Sequence, residues 1–379
     1  MNTVVAVATN TLGARSETFV TRHINTLNDG RTVAICRRVE DTTATDHPVL
    51  VIGGRGENMS ARAGNLVHAV WNQLYWGGIA LPGVQMEQAV ARFLTEHDVR
   101  CILAEFGPMG CIMQRAATRA GIPLYVYFRG RDATSLLANR GVRRAYRRLF
   151  PEVAGVIAVS RFLLDNLQSQ GFSHPNMHVI PSGVDTEVFV PGRKDPGQLL
   201  SVGRFVAKKA PDLVIRAFAR IASRYPVRLD MIGDGPLLDK CRHLAESLGV
   251  ADRVFFHGSQ PHEFVRQFMS SAFVLLQHSL TDPSGEAEGL PSVIQEAMAA
   301  GAVVVSTRHA GIPEAIESGR NGLLTAEGDL DAYAQAIEQI MSNPALATEM
   351  ARHARNDAEK RYDVVLLRRQ LEDVILDDR

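Results

Sequence analysis

Glu288 and Glu296 bracket Gly289-Leu290-Pro291 and an apolar run of helical period that extends to about Ala300. Pro291 suits the first position of a helix, and Gly289 permits close backbone approach. The N–H groups that open a helix lack internal partners and lie at the positive end of its dipole, so this turn favours a bound diphosphate. Carboxylates accept hydrogen bonds from sugar hydroxyls. On spacing alone, an acid stabilising the helix dipole plus a second, solvated acid is the preferred account of the pair.

A basic turn, Gly203-Arg204-Phe205-Val206-Ala207-Lys208-Lys209-Ala210, follows the apolar run Leu199 to Val202. Fixed cations such as Arg204 and Lys209 stabilise the charge that builds on a departing diphosphate, while Lys208 reads as solvated. Gly233-Asp234-Gly235-Pro236 reads as a turn at a strand end, and His257-Gly258 closes another apolar run. Nearer the N-terminus, Gly13 follows the first apolar run, and Ser16 with Glu17 beside it fits a helix cap. Phe128-Arg129-Gly130-Arg131-Asp132 ends a further run. Arg129 cannot act as a base at neutral pH, but its planar fork suits a phosphate or a carboxylate.

These turns must be positioned by strands. Short apolar runs alternate with amphipathic stretches, the pattern of βαβ units and a mainly parallel sheet. One series comprises Val4 to Ala8, Thr32 to Cys36, Val49 to Ile52, Val99 to Ala104, Leu124 to Phe128 and Val156 to Val159. A second comprises Leu199 to Val202, Val227 to Ile232, Val254 to Phe256, Phe273 to Gln277 and Ala302 to Ser306. The polar segment Thr186 to Gly197, broken by prolines and glycines, reads as the boundary. The expected architecture is α/β with two Rossmann-like, doubly wound domains, 1–190 and 191–360, and a C-terminal helix over 361–379 packing back toward the first. Doubly wound sheets bind ligands at the carboxyl ends of their strands, so the expected site is a shared cleft.

The 379 residues exceed what one core usually serves, and 46% are hydrophobic, enough for two. Forty-one basic and forty-one acidic residues cancel, which removes the electrostatic signature of a nucleic-acid binder. Cys36, Cys101, Cys111 and Cys241 are widely spaced, read as buried thiols, and fit a reducing cytoplasm. The chain begins without a signal-peptide pattern, and no apolar run reaches the ~20 residues of a membrane span, so any membrane contact is peripheral.

Glu288 to Glu296 with the intervening Gly-Leu-Pro resembles the E-x7-E motif of family 4 retaining glycosyltransferases of the GT-B fold. Gly203-Arg204 to Lys209-Ala210 is similar to that family's G-R-(x)4-K-(G/A) loop. Further similar segments are Asn10 to Phe19, Ile180 to Asp185, Ile232 to Pro236, Phe255 to Gly258 and Ala310 to Glu314.

The resemblance implies Glu288 on the donor sugar, Glu296 on the ribose, and backbone donors at Gly289 and Leu290. It implies Arg204 and Lys209 on the diphosphate, with Gly13, Gly233, Asp234, Gly235, His257, Gly258 and Pro291 lining the donor site. Ser16, Glu17 and Asp132 lie on the acceptor side. Relatives read Phe-His-Gly-x-Asp where this chain has Arg129, so a cleft histidine is replaced by a residue suited to an acidic sugar.

The implied reaction transfers a hexosyl group from a nucleotide-diphosphate sugar, with retention and without metal or cofactor, to a glycan or lipid-linked saccharide of a cell-surface polysaccharide. A GT-B sugar-nucleotide 2-epimerase and a catalytically silent nucleotide-sugar-binding subunit are the alternatives. A dinucleotide dehydrogenase is disfavoured because Gly233-Asp234-Gly235 lacks the third glycine of that fingerprint.

Arg140, Arg143, Arg144, Arg147 and Arg148 recur at helical spacing opposite Val142, Ala145, Tyr146, Leu149 and Phe150. Such a stripe suits docking on the anionic inner face of the cytoplasmic membrane, a solvated face, or an acceptor phosphate.

Overall fold

In the computed structural model, residues 3–14, 17–53, 79 and 81–376 are described. The chain divides into two compact units, Met1–Ile180 with Arg368–Arg379, and Pro181–Leu367.

The first unit contains β1 (Val4–Leu12), β2 (Thr32–Val39), β3 (Val49–Val51), β4 (Val99–Glu105), β5 (Leu124–Phe128), β6 (Gly155–Ala158) and β7 (Met177–Val179). All pair in parallel in the order β3-β2-β1-β4-β5-β6-β7. Helices α1 (Thr18–Thr26), α2 (Val84–Glu96), α3 (Gly107–Ala120), α4 (Arg140–Leu149) and α5 (Arg161–Ser169) connect them. Strands covered on both faces read as unbroken apolar runs, and Val5 to Ala8 are fully buried.

The second unit carries β8 (Asp195–Val202), β9 (Arg228–Ile232), β10 (Val254–Gly258), β11 (Ala272–Gln277), β12 (Val303–Thr307) and β13 (Gly322–Thr325), parallel in the order β10-β9-β8-β11-β12-β13. Its helices are α6 (Pro211–Ala222), α7 (Leu238–Ser247), α8 (His262–Ser271), α9 (Ser292–Ala299), α10 (Ile312–Ala315), α11 (Leu330–Ser342), α12 (Pro344–Asp357) and the start of α13 (Val364–Leu376). Side chains alternate across the sheet. Leu199, Met231, Val274, Leu276, Val303 and Val305 face one core layer. Leu200, Ile232, Leu275 and Val304 face the other, with Ile294, Ala297 and Met298 of α9.

Every strand expected from the sequence is present, and β7 and β13 are additional edge strands. In β7 His178 interrupts the apolar residues, and β13 has only two leucines between Gly322 and Thr325. The division falls at Ile180/Pro181, before the expected 190/191. The polar, Pro- and Gly-rich segment is not a free linker, because Arg355 of α12 donates to the carbonyls of Thr186 and Phe189 and the Phe189 ring is buried. The helix expected over 361–379 is α13, and its residues from Arg368 belong to the first unit. There Leu371 and Ile375 are buried, Arg368 donates to the Thr26 carbonyl, and Glu372 accepts from the Asn28 N–H.

Strand order reverses between β1 and β4 in one unit and between β8 and β11 in the other. Loops diverge at such a point, opening a crevice at the strand ends. The loop after β1 carries Gly13 and Glu17, and β4 ends on Glu105. The loops after β8 and β11 carry Arg204, Lys208, Lys209 and Glu288.

The second crevice depends on a close approach of backbones. The Gly203 N–H donates to the Ile232 carbonyl, the Phe205 N–H to that of Asp234, and the Gly233 N–H to that of Gly258. Gly233 has φ +143°, and a Cβ there would overlap the Gly203 carbonyl. Gly233→Ala is therefore expected to destabilise the protein by about 1–3 kcal/mol, the usual cost of overpacking, measured by urea denaturation. Unchanged stability would mean that the two loops separate freely.

Candidate active site

The Glu288 carboxylate lies 3.1 Å from the Lys209 ammonium and 3.6 Å from that of Lys208. Lys208 is 2.7 Å from Glu286. Burial alone would raise the Glu288 pKa, but Lys209 and then Lys208 overcome it and hold the carboxyl below its ordinary range. The expectation that Lys208 is solvated is thus corrected. It is buried, because the turn Ala207–Lys209 directs both ammonium groups onto the loop after β11, and the Leu280 N–H donates back to the Lys208 carbonyl.

Arg204 is exposed and forms no ion pair with a described residue. Pro291 occupies the cap position and α9 begins at Ser292, one residue later than the sequence suggests. The Leu290 side chain is in the core, and among the described residues the N–H groups of Gly289 and Leu290 have no acceptor. A carboxylate, two ammonium groups, a free guanidinium and unpaired N–H donors therefore gather around one strand-order reversal. That set can hold an anion and a polyhydroxylated group side by side.

Other expected donor residues are engaged differently. Glu296 is 3.5 Å from His262 of α8 and not among the lysines. The Asp234 carboxylate accepts from the Gly235 N–H, as in an ordinary turn. His257 packs against Phe264 and Phe268, and its Nε2 lies 2.8 Å from buried Asp230, which also accepts from Gln198 and Arg228. Gly258, with φ +68°, ends β10 and accepts from Gly233.

In the first unit, Ser16 lies outside the described residues. Gly13 has φ +77°, and an added Cβ would lie 2.5 Å from that of Asp41, so local geometry already requires glycine. The reading of Arg129 as a free reader of acidic groups is corrected. Its side chain is 6% exposed, and Nε and a terminal nitrogen lie 2.9 and 2.8 Å from Glu105 Oε2. The guanidinium stacks between Tyr127 at 3.6 Å and Phe19 at 4.0 Å. Glu105 is fully buried, and its other oxygen lies 2.6 Å from His23 Nδ1. Burial opposes its charge, but Arg129 and His23 prevail and hold its pKa down. Sequence reasoning missed Glu105 and His23, although an acid ending the apolar run of β4 is a signal in itself. Asp132 is also committed internally, accepting from the N–H groups of Gly107, Arg129 and Gly130.

Helix α4 buries Val142, Ala145, Tyr146 and Leu149, with Asn139 accepting from the Gly141 and Val142 N–H groups as its cap. Arg140, Arg144, Arg147 and Arg148 are exposed and Arg143 is half-buried. Among the described residues, no helix is long and apolar enough to cross a membrane.

Comparison with known proteins gives concordant matches. Residues 185–360 match the family model described as glycosyl transferases group 1, and 35–188 match that of glycosyltransferase family 4. The chain is 30% identical over 278 residues to WcaL of Escherichia coli K12, assigned as a colanic acid biosynthesis glycosyltransferase, covering 71% of this chain and 68% of that one. It is 28% identical to a GDP-mannose-dependent phosphatidylinositol monomannoside mannosyltransferase of Mycolicibacterium smegmatis, covering 72% and 75%. Among solved structures, Anabaena HepE in complex with UDP has TM-score 0.78, 19% identity and 98% coverage of both chains.

Glu17 caps α1, and among the described residues its buried Oε2 has no partner. Burial first, then Glu105, raises its pKa to about 7 from 4.5, against the pull of Arg129. Between these values the folded chain holds the proton more tightly than the unfolded one. The stability Glu17 contributes is thus complete below pH 4.5 and lost as pH rises through about 7. Glu17→Gln is expected to flatten this fall in unfolding free energy, followed by urea denaturation at a series of pH values. A variant with the wild-type slope would show that the carboxyl titrates as it does in water.

Proposed function

Because the chain belongs to glycosyltransferase family 4, of the GT-B fold, we propose that it transfers a hexosyl group from a nucleotide-diphosphate sugar to a saccharide acceptor with retention of configuration. The observation that carries this reading is the ionised Glu288 between Lys208 and Lys209, at the strand-order reversal whose loops also carry exposed Arg204 and the N–H groups of Gly289 and Leu290, unpaired among the described residues. The N–H donors and Arg204 take the diphosphate, and Glu288 takes sugar hydroxyls.

The acceptor hydroxyl attacks the anomeric carbon on the face from which the diphosphate departs. The new glycosidic bond forms as the sugar–phosphate C–O bond breaks, and a leaving phosphate oxygen receives the acceptor proton. Arg204, Lys209 and the start of α9 stabilise the charge that develops, so the reaction runs without a metal ion or other cofactor. Relatives named for colanic acid, amylovoran and lipopolysaccharide core biosynthesis support a role in polysaccharide synthesis, and the acceptor we propose is a glycan or a lipid-linked saccharide. The UDP-glucose complex of the similar Anabaena HepE directs the first donor assays to UDP-sugars, and the mannosyltransferase relative adds GDP-mannose.

The full chain is expected to melt at higher temperature with one of UDP-glucose, UDP-galactose, UDP-glucuronate or GDP-mannose, because a ligand of the folded state stabilises it. Transfer from that donor should persist in EDTA, and the anomeric proton of the product should show retention. Glu288→Ala and Lys209→Ala should remain folded by circular dichroism and lose roughly 10²–10³-fold in turnover. Near wild-type turnover by both would overturn the site, and an epimerised donor without transfer would overturn the reaction.

The reading extends to place of action, a peripheral protein on the inner face of the cytoplasmic membrane. The exposed arginines of α4 supply the attraction, about 1 kcal/mol for each basic group near an anionic surface. Co-sedimentation with phosphatidylglycerol vesicles is expected at low salt, weakened by salt and by replacing Arg143, Arg144, Arg147 and Arg148 with glutamine. Protein that stays in the supernatant at low salt would return the stripe to solvent.

A further inference from the structure

The backbone of Glu288 is held by a residue that the proposed chemistry does not use. His309, in the turn after β12, is fully buried, and its Nε2 lies 3.0 Å from the Glu288 N–H. Its Nδ1 lies 2.6 Å from Glu327 Oε1. A backbone N–H only donates, so Nε2 must carry a lone pair and the ring proton must reside on Nδ1, where the carboxylate accepts it. Glu327 Oε2 accepts from the Thr281 N–H at 2.9 Å, so both of its oxygens face donors. A proton on Glu327 would place donor against donor at one end of the chain or the other. Two residues on, the Gly311 N–H donates to the Gly289 carbonyl at 2.9 Å, past Ala310 with φ +48°. One strained turn thus holds the backbone on both sides of the Glu288 Cα, from which the side chain departs.

We propose that His309, locked by Glu327 in its Nδ1–H tautomer, is a positioning residue that orients the Glu288 carboxylate for the donor sugar. This rests on the proposed role of Glu288. The lysines hold the carboxylate end of the side chain through ion pairs from the loop after β8. His309 fixes the backbone end from the turn after β12. Neither constraint alone sets the angle between them, because an ion pair tolerates swivelling and a backbone hydrogen bond leaves the side-chain torsions free.

Three variants separate the parts of the device. In His309→Gln, an amide oxygen takes the place of Nε2 and the amide NH2 faces Glu327. His309→Leu removes both. Glu327→Gln keeps its shape but must turn its NH2 either to the Thr281 N–H or to His309 Nδ1, and the second choice drives the ring to the Nε2–H tautomer.

Long-range 1H–15N correlation on the labelled full chain at neutral pH, with His309→Gln to assign the ring, should show Nδ1 protonated and Nε2 bare. Glu327→Gln should show both ring tautomers, because either orientation of its amide sets donor against donor once. With UDP-glucose or GDP-mannose as donor, His309→Gln should stay near the wild-type kcat/KM. His309→Leu and Glu327→Gln should lose roughly 10–100-fold, as when an outer hydrogen-bond partner is removed from a reactive group. The 13C titration of the Glu288 carboxyl should stay below the ordinary range in wild type and His309→Gln, and rise in His309→Leu.

An Nε2–H ring or an imidazolium in the wild type would overturn the lock. Wild-type kcat/KM and an unmoved carboxyl titration in both His309→Leu and Glu327→Gln would overturn the positioning role. If the wild type turns over neither donor, the proposed reaction loses support, while the ring and carboxyl signals still decide the lock and the positioning.

Discussion

A carboxylate withdrawn from water must be met by opposite charge, and Glu288 is met by two ammonium groups from another loop. That interaction joins the loops after β8 and β11, which the reversal of strand order would otherwise let diverge. The loop from His278 to Pro291 has no regular structure, and its order comes from many local bonds. The Gly328 N–H donates to His278, the Ser279 N–H to Thr307, and Asp282 accepts from the N–H groups of Ser284 and Glu286. Breaking a buried pair on one side leaves an uncompensated charge, generally worth about 3–5 kcal/mol, so these local bonds and the lysines depend on each other.

The first unit solves the same electrostatic problem with different residues. Glu105, at the reversal between β1 and β4, is buried between His23 and Arg129. A flat guanidinium can aim two N–H groups at a carboxylate and lie between aromatic faces at once, as Arg129 does against Glu105, Tyr127 and Phe19, whereas a lysine ammonium has neither the fork nor the plane. The next residue, Phe106, has φ +73°, unusual for a non-glycine. Its N–H is taken by the Tyr127 carbonyl, and Asp132 accepts from the Gly107 N–H at the start of α3. The strain is tolerated because several bonds over-determine that corner. Arg129 therefore organises the turn, and Glu17, one of whose oxygens has no partner among the described residues, is the less stabilised of the two acids.

Parallel strands buried on both faces and helices buried on one leave the chemistry to the loops at one end of each sheet. The positions where bulk would stop those loops meeting are glycines. Gly233 lets the turns after β8 and β9 touch, and Gly13 lets the loop after β1 pass Asp41. The short helix α9 then presents its first turn from a scaffold fixed by Ile294, Ala297 and Met298 in the core.

Much of this was legible in the residue order. Apolar runs announce the central strands because their burial is dictated by the side chains themselves, and the spacing of Glu288, Pro291 and the helix after it is local. The family followed from several such local segments together. The edge strands β7 and β13 were not legible, since each offers only two apolar residues, around His178 in one and beside Gly322 in the other. The chain divides before the expected boundary, and Arg355, far along the chain, binds the carbonyls of the segment that looks like a linker. Charge partnership was likewise decided only by tertiary structure. Nothing local to Lys208 says that Glu286 faces it, nor does anything near Arg129 identify Glu105, or near Glu288 reveal His309 and Glu327. Sequence shows which residues can be charged or can donate, but the energy of a buried charge depends on what lies within a few ångströms, and folding alone brings those partners together.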